Sequence, residues 1–127
     1  KDGLDVYIPL VDDMGIDAVV RRKDGSFIEV QIKARSKNVV FGDSGLFAAI
    51  RHDEVRDNYF FVFYSERMDE TWIMSSREFI EESNTNKSGK NKGKKTIKQK
   101  RKNTKKQTEH THPRFKKYVS TNYDRLK

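Results

Sequence analysis

The 127-residue sequence has no cysteine, only 2 prolines and only 7 glycines. Without cysteine there is no disulfide, no thiolate nucleophile and no Cys-ligated zinc, so a bound metal must be held by oxygen or histidine. No run approaches the roughly 18 to 20 apolar residues that cross a bilayer, and no charged-then-apolar stretch resembles a secretory signal. The expectation is a soluble, cytoplasmic protein without a membrane partner. A Gly-rich phosphate loop and a Ser/His/Asp set are also missing, which leaves nucleotide hydrolysis and acyl transfer without support. With 34% hydrophobic and 36% charged residues, residues 1–127 have material for one modest core, hence a single domain rather than two.

Charge is present in abundance but unevenly. Residues 1–83 hold 11 Lys/Arg against 17 Asp/Glu, net −6, and residues 84–127 hold 16 against 2, net +14, which together make the overall +8. Between Lys87 and Lys106 eleven of twenty residues are basic and none is acidic: Lys87, Lys90, Lys92, Lys94, Lys95, Lys98, Lys100, Arg101, Lys102, Lys105 and Lys106. Such a run attracts a polyanion, nucleic acid above all. A solvated loop accounts equally well for a bare Lys/Gly/Asn/Ser stretch. Thr96 and Ile97 interrupt it, however, so residues 84–111 read as a basic loop or strand inserted within the domain rather than as a tail.

Along the chain, Leu4 to Val11 reads as a short strand ending near Pro9, followed by a turn at Asp12-Asp13-Met14-Gly15. Ile16 to Arg22 and Phe27 to Ala34 are strand-like runs flanking Lys23-Asp24-Gly25. A three-residue loop with Gly25 in the left-handed bulge position pairs Arg22 with Ser26. That register sets Val20 opposite Ile28, Ala18 opposite Val30 and Ile16 opposite Ile32, one wholly apolar face. The other face carries Val19 opposite Glu29 and Asp17 opposite Gln31, with Lys33 one step on. A two-residue loop would mix the faces. Gly45 to Arg56, with Leu46, Phe47, Ile50 and Val55, has helical spacing. Asn58 to Ser65 reads as a strand buried on both faces at the centre of the sheet, Thr71 to Ser75 as another, and Ser75 with Glu78 as a capping box opening a helix through Glu82. Phe115, Tyr118, Val119, Asn122, Tyr123 and Leu126 recur at spacings of three and four, predicting a last helix from near Pro113. The plan is mixed α/β.

The polar face of the hairpin is where chemistry can sit. Directly opposed residues in an antiparallel pair have Cβ atoms about 4.5 to 5.5 Å apart. One divalent ion can therefore touch both the Asp17 carboxylate and the Gln31 amide oxygen, donors suited to Mg²⁺ or Mn²⁺. Lys33 lies beside them, where an ammonium can offset charge developing on a phosphate during phosphodiester hydrolysis. Plain polar alternation on a solvent-facing hairpin accounts for the same spacing.

Gly15-Ile16-Asp17, a hairpin, and then Phe27-Ile28-Glu29-Val30-Gln31-Ile32-Lys33-Ala34 resemble the active-site core of the PD-(D/E)XK nuclease superfamily, in the branch with Gln in place of the acid of the E-x-K pair. The resemblance extends to restriction-like endonucleases and several uncharacterised bacterial families. It implies a restriction endonuclease-like α/β (α+β) fold, a mixed β-sheet flanked by helices. It also implies a metal-dependent DNA endonuclease with Asp17 as metal ligand, Gln31 as second ligand and Lys33 as catalytic lysine, using Mg²⁺ or Mn²⁺. Ile16 replaces the proline of the motif. Glu29, on the same face but roughly 6 to 7 Å along the strand, ranks as an auxiliary ligand.

Other candidates carry less. Ser36 and Lys37 read as turn residues, His110 and His112 as part of a loop, His52-Asp53-Glu54 as a solvated face, and Trp72 with the Tyr59 to Tyr64 run as core. The partner expected is DNA, with a homodimer as a further option. The competing readings are a nucleic-acid-binding module that kept the fold without catalysis, and an interaction subunit that docks an acidic protein through its basic segment.

Overall fold

The computed structural model describes residues 4–8, 15–36, 46–98, 100–103, 108–120 and 122–127, with the backbone alone at 46, 48, 49, 98, 100–103 and 108–110. The hairpin organises the rest. Strand β2 (Ala18–Arg21) pairs with β3 (Phe27–Arg35) in the register Ala18 to Val30, Val19 to Glu29, Val20 to Ile28. The loop is the bulged one. The Arg22 and Ser26 backbones join at 2.8 Å, the Gly25 N–H donates to the Arg22 carbonyl, and Gly25 has φ +88°, a value that only glycine adopts without cost. Asp24 reinforces the turn by accepting from both the N–H and the hydroxyl of Ser26.

On one side of the hairpin β1 (Asp5–Tyr7) pairs antiparallel with β2. On the other, β5 (Tyr59–Ser65) pairs parallel with β3, and β6 (Glu70–Ser75) antiparallel with β5, giving a mixed five-stranded sheet in the order β1-β2-β3-β5-β6. The aromatic run is thus an interior strand buried on both faces, one place from the middle. Helix α1 (Ser76–Glu82) opens on the capping box: the Ser75 hydroxyl accepts from the Glu78 N–H, and the Glu78 carboxylate accepts from the Ser75 N–H.

The two faces of the sheet have separate cores. Tyr59, Phe61, Phe63, Trp72 and Met74 pack under Phe79 of α1, Phe47, Ile50, Ile97, Phe115 and Tyr118. Ala18, Val20, Ile28, Val30, Val62 and Ile73 pack with Leu4 and Leu126 on the reverse, where Ile32, at the open end of the apolar row, stays 47% exposed. The alternation of β3, Val30 inward to one core and Gln31 turned to the other face, follows from the period of two.

Two expected helices are absent. Residues 46–50 form strand β4 (Leu46–Ile50), which pairs with β8 (Lys95–Lys98); β8 in turn pairs with β7 (Asn84–Thr85). Phe47 lies opposite Ile97 and Ile50 opposite Lys95, so three steps on one strand match two on the other. The extra residue is a bulge, which returns Phe47 and Ile50 to the same buried side and mimics helical spacing. The C-terminal pattern belongs to two 3-10 turns, Pro113–Tyr118 and Asp124–Leu126. Between them Val119 bridges to Trp72, the Ser120 N–H donates to the Thr71 carbonyl, and Asn122 and Tyr123 have φ near +56°. Edge pairing with β6 therefore draws the chain straight where a helix would have continued. The basic segment forms β8, β9 (Lys100–Asn103) and part of a two-stranded ribbon of β9 with β10 (Thr108–Thr111). No helix among the described residues is long and apolar enough to cross a membrane.

Candidate active site

Asp17 lies one residue before β2, and its N–H donates to the Val30 carbonyl at 2.9 Å. Its carboxylate accepts from the Ile32 N–H at 2.7 Å, which ties the side chain to β3. Gly15, with φ +76°, itself lies so close to β3 that a Cβ there would stand 2.8 Å from the Gln31 amide nitrogen. Gln31 and, one step further along β3, Lys33 share a face, while the Asp17 carboxylate reaches β3 at Ile32; Ile16, expected opposite Ile32 on the apolar face, packs instead against the core of Tyr59 and Phe61.

A cleft of about 650 Å³ opens beside them, lined by Gly15, Gln31 and Lys33 on one side and by residues 50–54, Arg56 and Tyr59 on the other. Its wall contains groups that spacing did not single out. The Tyr59 hydroxyl donates to the Gly15 carbonyl at 2.8 Å and so holds the turn that carries Asp17. Burial pushes this phenol up to about 12; Arg56 opposes the rise, and the Asp17 and Glu29 carboxylates add to it. It is neutral at physiological pH, which keeps its proton for the Gly15 carbonyl.

His52, expected on a solvated face, is instead 7% exposed. Its ring stacks on Tyr59 and meets Phe61 edge-on, and its Nε2 lies 2.6 Å from the Ser76 hydroxyl, which also accepts from the Arg56 N–H. The correction has a plain cause: residue 52 follows a strand, so helical projection does not apply, and the ring fills the space between β5 and α1. Burial first, then Arg56 and Lys95, hold its pKa below the usual 6.5. Asp53 and Glu54 remain exposed.

Glu29 is engaged elsewhere. Arg56 reaches its carboxylate at 3.1 Å while lying over the Tyr59 ring, 4.4 Å from the centroid. Among the described residues no three His, Asp or Glu side chains converge as a metal cluster. Asp17 and Gln31 remain as the oxygen donors that the hairpin carries.

The basic residues divide. Lys87, Lys90 and Lys92 are exposed in the turn joining β7 to β8, a turn closed by hydrogen bonds between Asn86 and both Gly93 and Lys94. Lys94 is half-buried near Asn91. Lys95 is buried, with Asp53 at 4.0 Å, and so differs from its expected place on an open phosphate-binding surface; it sits opposite Ile50 in the ladder, on the core side. Lys98, Lys100, Arg101 and Lys102 occupy strand positions. Lys37, Lys105 and Lys106 lie outside the described residues.

No protein-family model matches the chain, and no curated protein matches its sequence. Among solved structures, it is similar to a bacterial homing endonuclease, I-Ssp6803I, with a TM-score of 0.57 and 21% sequence identity over 92% of this chain and 75% of that one. The chain therefore has an endonuclease-like mixed α+β fold.

Proposed function

We propose that the chain is a metal-dependent DNA endonuclease domain that hydrolyses phosphodiester bonds with Asp17, Gln31 and Lys33. The observation that carries this reading is the cleft lined by Gln31 and Lys33, with the Asp17 carboxylate tied to the same strand at Ile32, on the first hairpin of an endonuclease-like sheet. DNA as the substrate is supported by the similarity in fold to a homing endonuclease and by the basic segment. The Gln-x-Lys form of the PD-(D/E)XK site is the chemistry the residues suit.

Mg²⁺ or Mn²⁺ fits the donors present. Asp17 is exposed and oriented by the Ile32 N–H, and Gln31 on β3 offers a neutral oxygen. Such ions keep several waters and take only one or two carboxylates together with substrate phosphate. When bound, the metal supplies Lewis-acid polarisation of the phosphate and a more acidic water. Lys33 brings its ammonium to the same phosphate and offsets charge developing on the non-bridging oxygens. Gly15 and Tyr59 hold the Asp17 turn in place, which keeps ligand and lysine in one geometry.

Plasmid nicking in Mn²⁺ tests the reading. Wild type should cleave, while Lys33→Ala should bind DNA without cleaving. Asp17→Asn keeps an acceptor for the Ile32 N–H but loses the charge, so it should fold normally and lose Mn²⁺ binding in calorimetry. Cleavage by Lys33→Ala at the wild-type rate would exclude the assigned role.

The engagement of Glu29 by Arg56 favours a second reading, a nucleic-acid-binding module without catalysis. DNA binding by a wild type that neither cleaves any substrate nor takes up Mn²⁺ would select it.

A further inference from the structure

The row that carries Gln31 and Lys33 does not end at the lysine. Alternate residues of a strand share a face, and the parallel ladder sets Gln31 beside Phe61, Lys33 beside Phe63 and Arg35 beside Ser65. Phe61 and Phe63 belong to the core under α1, so Arg35 leaves β3 on the same side of the sheet as the candidate site. Ala34, between the two cations, lines the groove on the opposite face.

Arg35 sits where a structural arginine would be paired, yet it is not. The residue is half-buried, and its Nε is buried with no hydrogen-bond partner among the described residues. Ser65, its neighbour in the ladder, accepts instead from the Met68 N–H. The half-buried Arg22, Arg56 and Arg125, by contrast, hold the Leu126 carbonyl, Glu29 and Glu78. A buried donor without a partner costs stability, and an unpaired one in a native fold calls for a reason, a bound ion among them.

We propose that Arg35 binds a backbone phosphate of the substrate, next to the phosphate that meets Lys33. Two residues along a strand are about 6 to 7 Å apart, so the pair suits neighbouring phosphates of one strand laid along β3 better than a single phosphate. The guanidinium fork takes a phosphate with two parallel N–H bonds, and turning the head outward onto it gives Nε a partner. Such a contact fixes the register of the substrate over the site and reads no base. The inference rests on the reading that this site takes DNA.

Arg35→Met keeps the apolar stem and removes the unpaired charge. Its affinity for a fluorescein-labelled duplex of mixed sequence, measured without divalent ion, should fall by about 10-fold. Across a salt series the slope of log affinity against log salt should flatten by about 0.9. The melting temperature of the free protein should stay level or rise, because no native contact of the guanidinium is lost. In the wild type, the Arg35 Nε–H signal in nuclear magnetic resonance, assigned by its absence from Arg35→Lys, should move when the duplex is added; this readout does not depend on the folding of Arg35→Met. Wild-type affinity and slope in Arg35→Met, or an Arg35 signal that the duplex leaves in place, would overturn the assignment while the nuclease reading stands. A lower melting temperature with an unaltered slope would make Arg35 a structural residue and overturn it too. Failure of the wild type to bind any duplex would overturn both readings.

Discussion

Gly15 is the residue on which the candidate site turns. Its backbone lies at φ +76°, and an added Cβ would stand 2.8 Å from the Gln31 amide. Gly15→Ala should therefore cost about 1 to 2 kcal/mol from the left-handed backbone alone. It should also displace Gln31, so Mn²⁺ affinity measured by calorimetry should fall beyond any loss of thermal stability. His52 supplies a pH dependence. The imidazole of the unfolded chain takes up a proton near pH 6.5, whereas burial, with Arg56 and Lys95 nearby, resists that proton in the fold. The unfolded state binds more protons in that window, so stability is full above pH 6.5 and declines as pH falls below it. Melting temperatures between pH 7.5 and 5 should show this decline, and His52→Gln should flatten it. The carboxylates act lower. Burial alone would raise Glu78 and Glu82, but hydrogen bonds from Arg125 and Ser75 to the first, and from Tyr118 and Arg114 to the second, hold both below their usual 4.5. Their contribution is present above pH 4.5 and is lost as pH falls further.

At the scale of elements, α1 is short and depends on its ends. Glu78 closes the capping box and also takes a bidentate ion pair from Arg125, at 2.8 and 2.9 Å, which ties the last 3-10 turn to the helix. Ser75→Ala should lower stability by about 1 kcal/mol, read by urea denaturation. This helix was legible because its signal is local: Ser75 and Glu78 are three residues apart and satisfy each other. The β2–β3 hairpin was legible for the same reason, Gly25 specifying the turn and the turn specifying the register that sets Ala18 against Val30 and Val20 against Ile28. The strand β4 was not, because its bulge depends on Lys95 to Ile97, some fifty residues away in sequence. Val119 likewise follows its bridge to Trp72 and overrides the helical spacing around it.

For the whole molecule, the division of charge sets how it meets a polyanion. Exchanging Lys87, Lys90, Lys92 and Lys94 for glutamine should weaken DNA binding at all sequences. For each phosphate contact removed, the slope of log affinity against log salt should flatten by about 0.9. Fluorescence anisotropy across a salt series measures this, and an unchanged slope would remove the β7–β8 turn from the interface. Lys95 is left out of that set because it is packed on the core side with Asp53.

Residue order alone determined the hairpin, its apolar row from Ala18 and Val20 to Ile28 and Val30, the interior aromatic strand and the capped helix, since each rests on contacts within a few residues or on a period of two; Ile16, expected in that row, packs in the opposite core. It also joined Asp17, Gln31 and Lys33 through one hairpin. Only the tertiary structure decided what surrounds them. Tyr59 meets Gly15 across 44 positions, His52 meets Ser76 across 24, and Arg56 meets Glu29 across 27. Such pairings follow from how β5, α1 and the segment after β4 stack on the sheet. Burial then gave His52 and Tyr59 properties that no local pattern carries.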